Sequence, residues 1–336
     1  MGLRLAGVAL GLLLLLPLLI AACEDAEEEE SLIIYSGRRE TLVGPIIERF
    51  AEESGVRVEV KYASSPQLAS TLLEEGDDTP ADVFFAQEPA SLGAVAGLLG
   101  TLPESILRQA PEWARSMEGR WVGISGRARV VVYNTDAVAE AELPDDLWGF
   151  VGPEWRGRVG WAPTSSSSQA MVTGMRALWG EERTREWLQA LRSNGVRDYA
   201  NNTTATAATA AGEVDAAFVN HYYLHQLQAQ QQDEVPAANY HPRTEGPGAL
   251  VMVAGAGVLA SGDNREAALD FLAYLLSVEG QDYFAQEVYE YPLAGGVAVS
   301  EALVPLSSIR HPGVPMEALA DLEATQRLMR ETGILP

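Results

Sequence analysis

The chain has 336 residues, enough for two or three domains or one large two-lobed body. It is 47% hydrophobic and 21% charged, an ordinary globular composition that excludes wholesale disorder. Lys+Arg total 23 against 47 Asp+Glu, and the resulting net charge of −24 repels phosphate backbones, so no nucleic-acid partner is expected, whereas a cationic ligand is compatible.

The first 22 residues read as a signal peptide: Arg4 gives a positive start, Leu5 to Ala22 is apolar, and Ile20-Ala21-Ala22 precedes Cys23. The Leu-Ile-Ala-Ala-Cys ending has the form of a bacterial lipobox, in which Cys23 is lipidated and becomes the first residue. An uncleaved membrane anchor is the alternative, since the run is just long enough to span a bilayer. The lipobox reading is more specific because it falls on the only cysteine of the chain. Either way the body lies outside the cytoplasm, in the periplasm or at the outer face of the cytoplasmic membrane. Residues 23–30 carry six acids in the seven positions after Cys23 and read as an extended, self-repelling tether. With its one cysteine spent there, the body has no disulfide framework and no thiolate chemistry. Four histidines leave little room for histidine-based catalysis.

From Leu32 the chain alternates strand and helix. Leu32-Ile33-Ile34-Tyr35 is a strand, and Leu42, Val43, Ile46, Ile47 and Phe50 mark one face of a helix ended by Ser54-Gly55. Residues 56–60 form a second strand, 68–75 a helix and 81–85 a third strand. Such βαβαβ order predicts a parallel sheet with ligands beyond the carboxyl ends of its strands, at residues 35–39 and 86–88. Val130 to Tyr133 is a strand crossing to a second lobe, which contains a strand at 159–161, helices near 168–178, 181–193 and 202–212, and a strand at 216–219. Residues 249–260 read as a return crossing of two strands split by Gly255-Ala256-Gly257. Helices near 264–275, 278–287 and 316–331 follow, and Gln226 to Gln232 reads as a solvated helix face. The fold class is α/β, with two lobes, each a mainly parallel sheet flanked by helices. Lobe 1 takes residues 31–128 plus about 253–300, and lobe 2 takes 129–252 plus about 301–336. A cleft at a hinge of crossing strands suits a closing binding protein more than an enzyme.

The sharpest chemical signal is Val219-Asn220-His221-Tyr222-Tyr223-Leu224-His225, at a strand's carboxyl end. Phenolate is a hard anionic ligand that favours ferric iron over zinc or copper, and a strongly charged Lewis acid is needed to ionise it near neutral pH. Two other readings stand beside this one. The tyrosines could simply pack the cleft wall, and His221 with His225 has the i, i+4 spacing of a zinc pair, though without a third ligand. The pair alone leaves these open.

Several segments together resemble the ferric-iron-binding proteins of bacterial ferric ABC transport systems, which have a periplasmic-binding-protein fold related to transferrin lobes. They are Ile34-Tyr35-Ser36-Gly37-Arg38, residues 80–87, Ser125 to Asn134, Trp161-Ala162-Pro163-Thr164-Ser165, residues 220–225 and Pro247 to Val251, in the family's order across residues 31–330. The resemblance implies ferric iron as cargo, Tyr222 and Tyr223 as its ligands, and an ABC permease as partner to a single copy of the chain. It departs from the family where Arg39 replaces a histidine ligand, where Gln87 stands in place of a glutamate (Glu88 is next to it), and where Ser165 to Ser168 replace a third tyrosine. A synergistic anion, carbonate or phosphate, is therefore expected to complete the metal site. By resemblance Arg38 would hold carbonate, while Ser165, Ser166 and Ser167 with Asn202 and Asn220 would hold phosphate. Carbonate through Arg38 is favoured, because Arg39 in place of histidine leaves more positive charge near the metal. Serines at a helix start independently suit an oxyanion. Arg127 is a further anion candidate or, equally, an arginine paired with an acid at the hinge. Gln87 reads as a loop-capping amide beside the metal. A binder of a phosphorylated sugar or other organic phosphate is the alternative within this fold, and it leaves the tyrosines without a use. A secreted serine hydrolase built on Ser165–Ser168 lacks a G-x-S-x-G elbow and a placed histidine.

Overall fold

Short apolar runs separated by amphipathic segments fold residues 31–336 into one unit, distinct from residues 1–30, in a computed structural model that describes residues 2, 31–231 and 234–336. The expected signal peptide, Cys23 and the acidic tether lie outside the described residues, Gly2 aside. Among the described residues no helix is long and apolar enough to cross a membrane.

The elements follow in chain order. The first part holds β1 (Leu32–Ser36), α1 (Glu40–Ser54), β2 (Val58–Tyr62), α2 (Ser65–Glu75), β3 (Val83–Ala86), α3 (Pro89–Ala94), α4 (Glu104–Leu107) and the long β4 (Val122–Asn134). Then come β5 (Val159–Trp161), α5 (Ser166–Trp179), α6 (Glu181–Ser193), β6 (Arg197–Asp198), α7 (Asn202–Ala210), β7 (Ala216–Asn220), α8 (Tyr222–Gln230) and β8 (Ala237–Tyr240). The chain closes with β9 (Val251–Val258), α9 (Arg265–Leu275), α10 (Val278–Gln286), β10 (Tyr291–Pro292) and α11 (Leu322–Glu331).

Strand β4 belongs to two sheets. Its first half, Val122 to Ala128, lies antiparallel to β9, which continues through β3 and β1 to β2, the last three mutually parallel. From Arg129 onward β4 changes partners, pairing with β7 on one side and β8 on the other, and β7 continues in parallel through β5 to β6. Each sheet has its own core. Ile34, Val83 and Val258 pack with Val43, Phe50 and Phe271 on the first, and Val131, Trp161 and Phe218 pack with Met175, Trp187 and Leu188 on the second. The carboxyl ends of β1, β3, β5 and β7 are followed by the segments that line the cleft between the sheets, as doubly wound sheets require.

Two expectations are corrected. Residues 249–260 are not two strands divided at Gly255-Ala256-Gly257, because β9 runs through them unbroken. The glycines serve close packing: a Cβ on Gly255 would meet Leu92 Cδ1 and the Val122 carbonyl at 2.9 Å, and one on Gly257 would meet Leu99 Cδ1 at 2.7 Å. The crossing strand is not confined to residues 130–133 but spans 122–134, every residue buried, because Gly123, Ser125, Arg127 and Arg129 are polar or small in sequence yet paired on the ladder. Smaller shifts have local causes. β2 starts at Val58 because Leu32 pairs there. α2 starts at Ser65 because Gln67 Oε1 accepts from the Ser64 N–H (3.2 Å), closing a capping box. α11 starts at Leu322, after a single 3₁₀ turn at Met316–Leu319.

Candidate functional site

The five residues of β7 are all buried, and the chain turns straight from Asn220 into α8. His221 fixes that turn against the point where β4 changes sheets. Its N–H donates to the Ala128 carbonyl (3.1 Å), and its Nδ1 accepts from the Ala128 N–H (3.2 Å). The next two residues are thereby held side by side, with the Tyr222 and Tyr223 rings 4.3 Å apart and inclined by 35°. Tyr222 is fully buried, and its hydroxyl has no hydrogen-bond partner. Burial, reinforced by the adjacent Tyr222 phenol, pushes the Tyr223 phenol far above its usual range, while Arg39 and Arg127 pull it back. Both tyrosines present hard oxygens, and only a strongly charged cation can displace a proton from such a site near neutral pH.

Around them lies a polar cluster drawn from β4, α5, α7 and β7. Ser165 caps α5 by accepting from the Ser168 N–H (3.2 Å), and its Oγ lies 3.2 Å from Ser167 Oγ. Asn202 Nδ2 donates to both hydroxyls, at 3.1 and 3.0 Å. Arg129 Nη1 donates to Asn220 Oδ1 (2.9 Å) and reaches Ser167 Oγ at 3.4 Å. Asn202 Oδ1, Asn220 Nδ2 and Arg129 Nε and Nη2 are buried without partners. So many buried polar atoms without partners at one place are costly in a finished core. Ser166 lines the cleft beside them.

Arg129 is the residue that the sequence reading missed. Its guanidinium is fully buried, forms no salt bridge among the described residues, and is pushed down to about 9 by burial, with the two tyrosines pulling it back up. The signal was present in Arg127-Ala128-Arg129: on a strand, residues two apart share a face. Starting the strand at Val130 hid that alternation. Arg127 is equally buried and forms no salt bridge among the described residues, although its charge acts on the buried carboxyl of Glu88. It donates to the carbonyls of Gln87 and Val253, and its Nε and Nη1 have no partner. Glu88 is buried as the first cap of α3, held up in pKa by desolvation and bonded by the Ser91 hydroxyl (2.5 Å). Gln87 lines the cleft, its backbone N–H donating to Ser65 Oγ (2.8 Å).

Arg38 lines the cleft, but its guanidinium is engaged: Nη2 and Nη1 donate to Glu290 Oε1 (2.9 Å) and Oε2 (3.1 Å) in a wholly buried pair, and only Nε is left without a partner. Arg39 instead is exposed and lies on the cleft wall, close enough to act on Tyr223. The cleft, about 600 Å³, brings Arg39, Ser65 and Gln87 from the first-sheet side opposite Ser165, Ser166 and Tyr223 from the second. A hollow of about 630 Å³ beside Trp148 and Trp179 shares no residue with it.

The zinc pair is not formed. His221 Nδ1 is spent on Ala128, His225 Nε2 lies 3.3 Å from Asn239 Nδ2, and no group of three or more His, Cys, Asp or Glu among the described residues could hold a metal. Burial, with His225 and His241 nearby, pushes His221 down to about 3, and burial pushes His241 down to about 4. The neutral His221 stabilises the fold fully above the ordinary imidazole value of 6.5, and that stability is lost as pH falls towards 3, because the unfolded chain takes up the proton first. Unfolding free energies from denaturant titrations at pH 7 and pH 4.5 are expected to differ by on the order of 2–3 kcal/mol from this group. His221→Gln should flatten that part of the fall.

The profile of a family described as bacterial extracellular solute-binding protein matches residues 45–301. The chain is 33% identical over 310 residues, covering 90% of it and 92% of the relative, to the "Major ferric iron-binding protein" of Neisseria meningitidis serogroup B (strain ATCC BAA-335 / MC58). It is 31% identical over 322 residues, 95% of each chain, to the "Fe(3+)-binding periplasmic protein" of Serratia marcescens. Among solved structures it is similar to iron-bound HitA from Pseudomonas aeruginosa, with a TM-score of 0.86, 33% identity, and coverage of 90% of this chain and 99% of that one.

Proposed function

This chain belongs to the bacterial extracellular solute-binding proteins, transport components rather than enzymes, and from that membership we propose that it binds ferric iron at Tyr222 and Tyr223 and delivers it to an ABC permease. The observation that carries the reading is the pair of adjacent phenols, Tyr222 fully buried with an unpartnered hydroxyl and Tyr223 on the cleft wall, next to a cluster of unpartnered donors and acceptors. The names of its relatives agree with it: two are ferric-iron-binding proteins, and a structural neighbour was solved with iron bound.

Two phenolates fall short of the roughly six donors of an octahedral ion, so a small oxyanion, carbonate or phosphate, completes the site with water. Its place is beside Ser165, Ser166, Ser167, Asn202 and Asn220, with Arg129 taking the role first expected of Arg38. Ferric iron, two phenolates and a doubly charged anion together carry a single negative charge. The Arg129 guanidinium offsets that charge, and Arg127 and Arg39 add positive field. Gln87 borders the iron from the opposite wall. Closure bends the chain where β4 changes sheets, between Ala128 and Arg129, so that residues 31–128 with about 253–300 move against the remainder. The body works outside the cytoplasm, tethered through lipidated Cys23 and residues 24–30.

Melting the protein with ferric citrate in bicarbonate, with bicarbonate alone and with a hexose phosphate tests the reading. Iron with bicarbonate is expected to raise Tm by several degrees, as a ligand held far above its dissociation constant must. A rise with the hexose phosphate and none with iron would replace iron by an organic phosphate.

A further inference from the structure

Three consecutive residues tie the two walls of the cleft together. Tyr289 stands at φ 59°, and it is the only residue other than glycine with positive φ among the described residues. A tyrosine in that left-handed conformation is strained where glycine would not be. The conformation lays its ring on His225 of α8, with centroids 5.6 Å apart and planes inclined by 33°. Glu290 turns the opposite way. Its carboxylate is fully buried, grips Arg38 at the end of β1 through two parallel hydrogen bonds, and accepts from Ser125 on β4. Tyr291 begins β10, pairs with Gly126 of β4, and stacks on His221 at 4.8 Å and 31°. The Glu290 N–H donates to the Phe284 carbonyl of α10 (2.8 Å), which fixes the base of the segment.

We propose that Tyr289-Glu290-Tyr291 is a positioning strap that sets the tyrosine-bearing end of α8 against the Arg38–Arg39 loop, so that iron meets both cleft walls in register. This inference rests on the reading that Tyr222 and Tyr223 hold iron. None of the three residues lines the cleft, so each acts through another: His221 and His225 flank the tyrosine pair in sequence, and Arg38 precedes the Arg39 that faces it. A buried ion pair is weak evidence of added stability, but its bidentate geometry fixes orientation, which is what a positioning element needs. The strained backbone at Tyr289 points the same way, because relaxing it would release the ring from His225.

The test titrates ferric iron into the full chain, following the tyrosinate-to-iron absorption band together with Tm, in the wild type, Tyr289→Gly, Tyr289→Phe and the double variant Arg38→Met/Glu290→Met. The strap predicts that Tyr289→Gly and the double variant melt within a few degrees of wild type, bind iron about tenfold more weakly and shift the band, whereas Tyr289→Phe keeps wild-type affinity. Should the double variant not fold, Tyr289→Gly decides alone. Wild-type affinity and an unshifted band in Tyr289→Gly would overturn the strap while leaving the iron site intact. Absence of the band in the wild type would remove the iron reading and the strap with it.

Discussion

Tyr222→Phe and Tyr223→Phe should each lower ferric affinity by well over the roughly 10–100-fold that changes around a metal's ligands cost, and the double variant should bind no iron with a visible band. The stability arm separates this from misfolding. The Tyr222 hydroxyl is buried without a partner, so deleting it removes a desolvated polar group and leaves the ring packed against Tyr223. Tyr222→Phe is therefore expected to match or exceed the wild type in ligand-free stability, by up to about 1 kcal/mol. Affinity lost while stability is kept would identify the phenol oxygen, rather than the ring, as the functional part. A Tyr222→Phe protein that melts early and binds iron normally would mean that the aromatic pair is packing.

Arg129→Met should separate stability and binding even further. The guanidinium is buried with no carboxylate, and burial holds its pKa near 9, so at neutral pH the folded state carries the full penalty of a desolvated cation. Replacing it with an apolar chain of similar length is expected to stabilise the ligand-free protein, on the order of 1–4 kcal/mol less whatever is lost at Asn220 Oδ1 and Ser167. Iron binding in bicarbonate should fall by at least tenfold, because the negative iron–anion assembly loses a buried counter-charge. Urea midpoints without ligand, set beside iron titrations of the same protein, check both signs. A variant less stable than wild type with undiminished affinity would assign Arg129 to the core.

The sequence carried the fold well because its strands and helices obey their own periods. The α1 face of Leu42, Val43, Ile46, Ile47 and Phe50 is buried as its spacing demands, and β7 ends at Asn220, with His221 alone between it and the tyrosines. What failed were places where tertiary pairing overrides local signals. Gly255 and Gly257 look like breakers, but they are glycine because neighbouring side chains and carbonyls occupy the space a Cβ would need. Ser125, Arg127 and Arg129 look like a polar loop, yet they lie on a wholly buried strand whose polar side chains find partners far away in sequence. The adjacent tyrosines, the Ser165–Ser167 cap and Asn202 could be read as types in a pattern. Their convergence could not, since Ser167 and Asn202 meet only after α5 and α7 are placed on one sheet. The partner of Arg38 was beyond reach for a like reason: Glu290 lies 252 residues away, and nothing local marks it.

A visible absorption spectrum of the purified protein, titrated with ferric citrate in bicarbonate buffer and repeated with Tyr222→Phe and Tyr223→Phe, tests the central claim most directly. A tyrosinate-to-iron charge-transfer band that saturates at one iron per chain and weakens or shifts in each variant is the predicted result. No band in the wild type, or a band unchanged in both variants, would contradict iron binding through the paired tyrosines.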